Sequence, residues 1–355
     1  MNDNLNNQFF SQVVEKMTKN RNVFGAALCV ENCDESVSWA GASGDINEND
    51  RYYIASVTKL CVSMFILHLR AENRLNLDDK ISKFLPADML QGLHVLDGVE
   101  YTGDITVKHL LANTSGIPDY FSQQQANGKK ADVSLFSGHD EAWPRERVLE
   151  TVKKIKPKFR PGQKGKVRYC DTNYELLGAI IESITGKDLA DAFKEYVFDK
   201  LELKDTYAYK DTSDNTPVQM YYKSKRIHLP AYLTSITAQG GLVSTSRECM
   251  LLLKAFFNGR FFPVEYLVEL KEWKFIAFPG NFYFGIGLEK LWIPRIYSPF
   301  IPIGEILGFW GQSGAFAFYN PQTDLYFTGT VNQLSGWGHS SAINAMLKVI
   351  KALQN

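Results

Sequence analysis

Three side chains in this chain have the types and settings for acyl-transfer chemistry. Ser56 stands in Ile54-Ala55-Ser56-Val57-Thr58-Lys59-Leu60, where the β-prone Tyr52, Tyr53 and Ile54 hand over to a helical pattern of Leu60, Met64, Leu67 and Leu69. Lys59 falls one helical turn later on the same face. A hydroxyl at a helix N-terminus has free backbone N–H groups beside it, which can stabilise a developing oxyanion. An amine one turn on can take the hydroxyl proton when its surroundings favour the neutral form. Ser-x-x-Lys is weakly specific by itself, because an N-cap serine beside a solvated lysine has the same spacing. Tyr169 is the third residue. It follows Pro161-Gly162-Gln163-Lys164-Gly165 and precedes a strong helical pattern. A phenol so placed can enter a cleft and act as a general base. On these residues alone, a core tyrosine anchoring a turn is the simpler account.

The elements around these residues are legible from periodicity. Residues 4–19 carry a helical stripe of Phe9, Phe10, Val13, Val14 and Met17, and Val23–Val30 with Ser36–Ala40 read as a hairpin. The Ser56 helix ends near Asn73. A short capped helix follows Leu77–Ile81, and Ile105–Ile117 reads as a helix stopped by Gly116. Residues 122–145 are polar and read as a long loop or lid. Helices are expected over Arg145–Ile155, Leu176–Thr185 and Asp188–Leu201. Beyond residue 225, Gly240–Thr245 reads as a turn and helix cap before a helix at Glu248–Phe257. Strands are expected at Phe284–Leu288, Ala315–Tyr319 and Leu325–Asn332, with a C-terminal helix at Ser340–Leu353. The expected architecture is α/β (α+β): one antiparallel sheet from both chain ends, flanked by helices, with an inserted mainly helical lobe. We expect a single domain over 1–355, with residues 1–74 and 226–355 forming the sheet-containing lobe and 75–225 the helical insert. A cleft belongs at their junction.

Composition narrows the partners. The chain has 355 residues, 45% hydrophobic and 22% charged, with a formal net charge of zero. It can bury a sizeable core, and nothing points to nucleic acid. The five cysteines, with no Cys-x-x-Cys, suggest free thiols rather than a disulfide framework or zinc site. The polar start Met1-Asn-Asp-Asn-Leu-Asn-Asn is not a signal peptide, and no window reaches 18 apolar residues. A cytoplasmic protein without a membrane span is expected. The sequence leaves the oligomeric state open.

Five ordered pieces resemble the serine β-lactamase/penicillin-binding protein-like superfamily, on the branch of class C β-lactamases, family VIII esterases and D-amino-acid peptidases. They are Ser56-Val57-Thr58-Lys59; His109-Leu-Leu-Ala-Asn-Thr-Ser-Gly-Ile-Pro-Asp-Tyr120; Phe159-Arg-Pro-Gly162 leading to Tyr169-Cys170-Asp171-Thr-Asn-Tyr-Glu-Leu-Leu-Gly178; Gly240–Thr245; and Gly308–Tyr319. The match spans roughly residues 20–350. The resemblance implies that Ser56 is the acylated nucleophile and that Lys59 and Tyr169 share its activation and protonate the leaving group. It puts Phe309-Trp310-Gly311 on the third motif, with the peptide N–H of Ser56 and of Gln312 forming the oxyanion hole. No metal or organic cofactor is needed for such chemistry.

Two departures from the family pattern bear on the substrate. Asp171 stands where asparagine is usual. A carboxylate there would hold Lys59 protonated and shift the load toward Tyr169, so Asp171→Asn is expected to leave activity unchanged or raise it, unless Asp171 has its own role. Phe309 stands where a cation usually holds a substrate carboxylate, and its apolar character suits an uncharged ester. The implied activity is a serine hydrolase acting on a small-molecule carboxylic ester. An amide or peptide hydrolase (a D-amino-acid peptidase or weak β-lactamase) and a non-catalytic binding protein of the same fold are the alternatives. Aromatics are dense from Phe256 to Trp310, as packing or as an apolar pocket. The basic run Lys153–Arg168 is a solvated surface, or else Lys166 or Arg168 supplies the missing cation. His109 and His339 read as structural, and Cys170 as a small packing residue.

Overall fold

The computed structural model describes residues 6–125, 128–277, 281–299, 302–336 and 338–354. Its largest element is an eight-stranded antiparallel sheet. In chain order the strands are β1 Gly25–Glu31, β2 Ser38–Gly44, β3 Lys274–Ala277, β4 Asn281–Phe284, β5 Glu289–Leu291, β6 Ile306–Trp310, β7 Ala315–Asn320 and β8 Leu325–Thr330. Their spatial order is β3-β4-β5-β6-β7-β8-β1-β2. Thr330 of β8 faces Ala27 on one side and Ala315 on the other, so the two ends of the chain meet in mid-sheet. The sheet is thus built from both chain ends, as expected.

Both faces are covered, which explains why β8 is apolar or uncharged along its whole length and buried at every position. One face packs under α1 (Asn7–Met17) and α5 (His339–Gln354), with Phe10, Val13, Met346 and Ile350 on Leu28, Val30, Phe318 and Phe327. The other packs under α2 (Thr58–Ala71), α3 (Asp171–Thr185) and α4 (Ser246–Phe257), with Leu60, Leu67, Leu177 and Leu253 among the core residues. Strand alternation sends Phe309 to this second layer and its neighbour Trp310 to the first. The helical lobe inserted before residue 225 includes α3 and short helices at Val107–Leu111, Ala131–Phe136, Arg145–Val152 and Leu189–Phe193. In a second, three-stranded sheet Leu242–Ser244 pairs with Tyr52–Tyr53 on one side and Tyr207–Ala208 on the other. Among the described residues, no helix is long and apolar enough to cross a membrane.

Several boundaries differ from expectation. The expected helix at 105–117 is one short helix, Val107–Leu111, because Asn113 turns left-handed at φ 56°. The strand expected at 284–288 ends at Phe284 and turns before β5. Leu242–Ser244 is a strand rather than part of a turn, with Thr245 capping α4 through Glu248 N. α3 starts at Asp171, five residues before the apolar periodicity becomes visible. The polar 122–145 stretch holds the helix Ala131–Phe136, while residues 126 and 127 lie outside the described residues, as do residues 4 and 5 of the first expected helix.

Candidate active site

Ser56 sits in a 3₁₀ turn, Ala55–Val57, that runs straight into α2. Ala55 before it adopts a left-handed φ of 45°, an uncommon state for a residue with a Cβ. The turn is gripped from two sides. Ile54 N donates to Leu242 O at 3.0 Å. The end of β6 presses on it so closely that a Cβ on Gly311 would lie 2.4 Å from Ile54 O, so only glycine fits there. That contact brings Gln312 beside Ser56, and both line the same cleft.

Lys59 is fully buried, and its ammonium has three acceptors for three hydrogens. Nζ donates to Ser56 Oγ at 2.8 Å and to Gln239 O at 2.6 Å, and lies 2.7 Å from Asp171 Oδ1. Asp171 is therefore turned toward the amine. Tyr169 OH donates to Ser56 Oγ at 2.8 Å from the opposite side. Burial, followed by the charges of Asp171 and Glu289, pushes the Tyr169 phenol well above its ordinary range, against the bond to Ser56. This phenol is held protonated, as a donor.

The tyrosine loop is held by the His109–Tyr120 segment. Asn113 O accepts from Arg168 N at 2.9 Å, and Asn113 Oδ1 accepts from Cys170 N at 3.1 Å and from Asn173 Nδ2 at 3.0 Å. Ser115 Oγ donates to Asn173 Oδ1 at 2.6 Å. His109 caps its own helix, its ring nitrogen accepting from Thr106 N, and His339 Nε2 accepts from Trp310 Nε1 at 2.6 Å. Cys170 is buried and directed at Ile117 O and Pro118 O, and burial pushes its thiol up.

The third-motif side chains divide. Phe309 is buried, edge-on to Tyr174 and Phe284. Trp310 stacks on Phe316 in the opposite layer, away from Ser56, so its indole takes no part in the cleft. The Gln312 side chain donates to Leu334 O at 2.8 Å.

The cleft beside Ser56 encloses about 550 Å³, part of it open to solvent. Ser56, Asp171, Gln239 and Gln312 form its polar end, and Phe121, Phe136, Met220, Leu229, Leu233 and Leu334 supply apolar wall. Among the described residues, none of the aromatics at 256–310 lines it, and neither do Lys166 and Arg168. The apolar wall comes instead from the 117–136 segment and residues 220–236. Phe121 and Phe136 were missed because they are isolated aromatics in a polar stretch. Glu289 was missed too. It is a buried carboxyl on a three-residue strand, too short to show an alternation, and burial pushes it up to about 8 against Trp310 N–H and the Lys59 charge. Among the described residues, no group of three or more His, Cys, Asp or Glu is arranged to hold a metal ion.

Comparison with known proteins agrees with this architecture. The chain is 32% identical over 179 residues to "Protein flp" of Staphylococcus aureus (strain MW2), an alignment covering 49% of this chain and only 30% of that relative. Its fold matches a D-stereospecific amidohydrolase from Streptomyces sp. at TM-score 0.77 and 24% identity, covering 95% and 97% of the two chains. It also matches EstCE1, a hydrolase with promiscuous acyltransferase activity, at TM-score 0.78 and 20% identity, covering 98% and 97%. The Beta-lactamase family model matches residues 10–349, nearly the whole chain, and the protein therefore belongs to the Beta-lactamase family.

Proposed function

We propose that this protein hydrolyses a carboxylic ester lacking a free carboxylate, through an acyl-enzyme on Ser56. The supporting observation is the Ser56 hydroxyl held between Lys59 Nζ and Tyr169 OH, 2.8 Å from each, at the polar end of an apolar cleft. Ser56 Oγ attacks the carbonyl carbon. Its proton goes to Lys59 as Lys59 gives one to Asp171 across 2.7 Å. The peptide N–H groups of Ser56 and Gln312 receive the oxyanion. Tyr169 protonates the departing alcohol. Its phenolate is tolerable at that moment because Asp171, a charge that opposes it, is by then neutral. In the second half Tyr169 takes a proton from the attacking water, the acid departs, and Ser56 recovers its proton from Lys59, which takes one back from Asp171.

The charges around Ser56 support this substrate class. Phe309 supplies no cation, and the carboxylates nearby, Asp171 and Asp119, repel a substrate carboxylate. An amino-acid amide is the second reading. Asp171 lines the cleft, where a carboxylate suits a substrate ammonium, and the Streptomyces neighbour is an amidohydrolase. The test compares p-nitrophenyl butyrate, a D-amino-acid amide and a chromogenic cephalosporin. The ester reading requires kcat/KM for the butyrate to exceed the other two by about 100-fold or more. Faster turnover of the cephalosporin would overturn it.

A further inference from the structure

Asp119 belongs to the Ile117-Pro118-Asp119-Tyr120 segment, and no step above uses it. It is 1% exposed. Its Oδ1 accepts from the peptide N–H of Asp171 at 2.9 Å, so it caps the first turn of α3 from outside the helix. Its Oδ2 accepts from Ser122 N at 2.8 Å and Ser122 Oγ at 2.5 Å, and its own N–H donates to Gln123 Oε1 at 2.6 Å. The flanking residues grip the same two partners of Lys59. Thr172 Oγ1 donates to Pro118 O at 3.0 Å beside Asp171, and Tyr120 OH donates to Gln239 Oε1 at 2.8 Å. Gln239 is the residue whose carbonyl accepts from Lys59.

We propose that Asp119 is a positioning residue for Ser56 acylation: it fixes Asp171 against Lys59, and it sets its own negative charge beside the carboxylate that receives the proton Lys59 releases. Asp119 touches none of the reacting atoms and acts only through Asp171. The inference rests on the Ser56 reading above and deepens it.

The electrostatics agree. Burial first, and the Asp171 charge second, push Asp119 up to about 6, against the bonds from Ser122 and from the Asp171 peptide N–H. Of the other groups facing it, the Cys170 thiol and the Tyr120 and Tyr232 phenols are all pushed up by burial and stay neutral. The cation at the site is Lys59, on the far side of Asp171. Asp119 therefore takes up a proton near pH 6. A folded-state value above the ordinary 3.8 gives stability that is present at low pH and is lost as pH rises through about 6.

The test is kcat/KM for p-nitrophenyl butyrate across the acid and neutral range, in wild type, Asp119→Asn and Asp119→Ala. Wild type should rise through pH about 6. Asp119→Asn keeps an oxygen for the Asp171 N–H but no charge, so that rise should vanish and the neutral plateau fall about tenfold. Asp119→Ala loses the cap as well and should fall about 100-fold. A wild-type rise surviving in Asp119→Asn would overturn the proposal, because a purely structural role moves stability and not the profile. If wild type turns over no ester and takes no fluorophosphonate, the Ser56 reading is what fails. Thermal unfolding then decides the Asp119 claim, using Asp119→Asn, Asp171→Asn and the double variant. The pairing requires non-additive Tm changes at about pH 7 that shrink by about pH 4. Additivity at both would overturn it.

Discussion

Lys59 Nζ lies 2.7 Å from Asp171 Oδ1 and 2.8 Å from Ser56 Oγ, so one buried amine bridges a hydroxyl and a carboxylate. In the proposed mechanism Asp171 is the terminus of a short proton path. A carboxylate that only held the amine charged would slow Ser56, whereas one that can accept the proton enables it. We therefore expect Asp171→Asn to lower kcat by about 100-fold with little change in KM. Unchanged or raised kcat would return the base role to Tyr169. Asp171→Ala should also cost about 3–5 kcal/mol of stability, read by denaturant unfolding, because it leaves the fully buried Lys59 without its counter-ion.

Tyr169→Phe removes the second bond to Ser56 Oγ while keeping the ring edge-on to Phe284 at 5.9 Å. Stability should change little, and kcat should fall about 100-fold or more. The loss should be smaller for esters with acidic leaving phenols, which need no proton to depart, than for alkyl esters. Equal losses across a leaving-group series would contradict the donor role.

Glu289 carries a signature in stability rather than turnover. Its folded-state value is raised to about 8, so the stability it confers is present in acid and lost as pH rises through about 8. Glu289→Gln keeps an acceptor for Trp310 N and cannot ionise. Its Tm should match wild type at about pH 4 and exceed it progressively as pH rises toward about 8, the gap levelling off above that. Parallel Tm curves between about pH 5 and about pH 8 would show that Glu289 does not titrate in that window.

The cleft wall gives a specificity prediction. Phe136, from the short helix Ala131–Phe136, lines the cleft, stacked on Tyr222. Phe136→Ala should raise KM for butyrate and longer acyl esters by about tenfold and leave acetate nearly unchanged. A uniform change across chain lengths would place the acyl group elsewhere.

The fold was legible where pattern and burial coincide. The α1 stripe, the Val23–Ala40 hairpin and the apolar runs of β7 and β8 each follow a period that the sheet and its two helical layers then bury. The Ser56, Lys59 and Tyr169 arrangement was readable only as a set, because each residue alone has an ordinary structural use. What sequence could not supply was direction. Nothing in the spacing says that Trp310 turns away from Ser56 while Phe309 faces the α2–α3 layer. Nor does it say that Asp119 reaches the first N–H of a helix 52 residues on. The apolar wall was hidden for a related reason: single aromatics in a polar segment acquire a common face only when Ala131–Phe136 folds over the cleft.

The most direct test of the central claim is intact-mass spectrometry after incubation with a fluorophosphonate, wild type beside Ser56→Ala. The account predicts one covalent adduct in wild type, mapped to Ser56, and none in the variant. An adduct that persists in Ser56→Ala, or none in either protein, would contradict it.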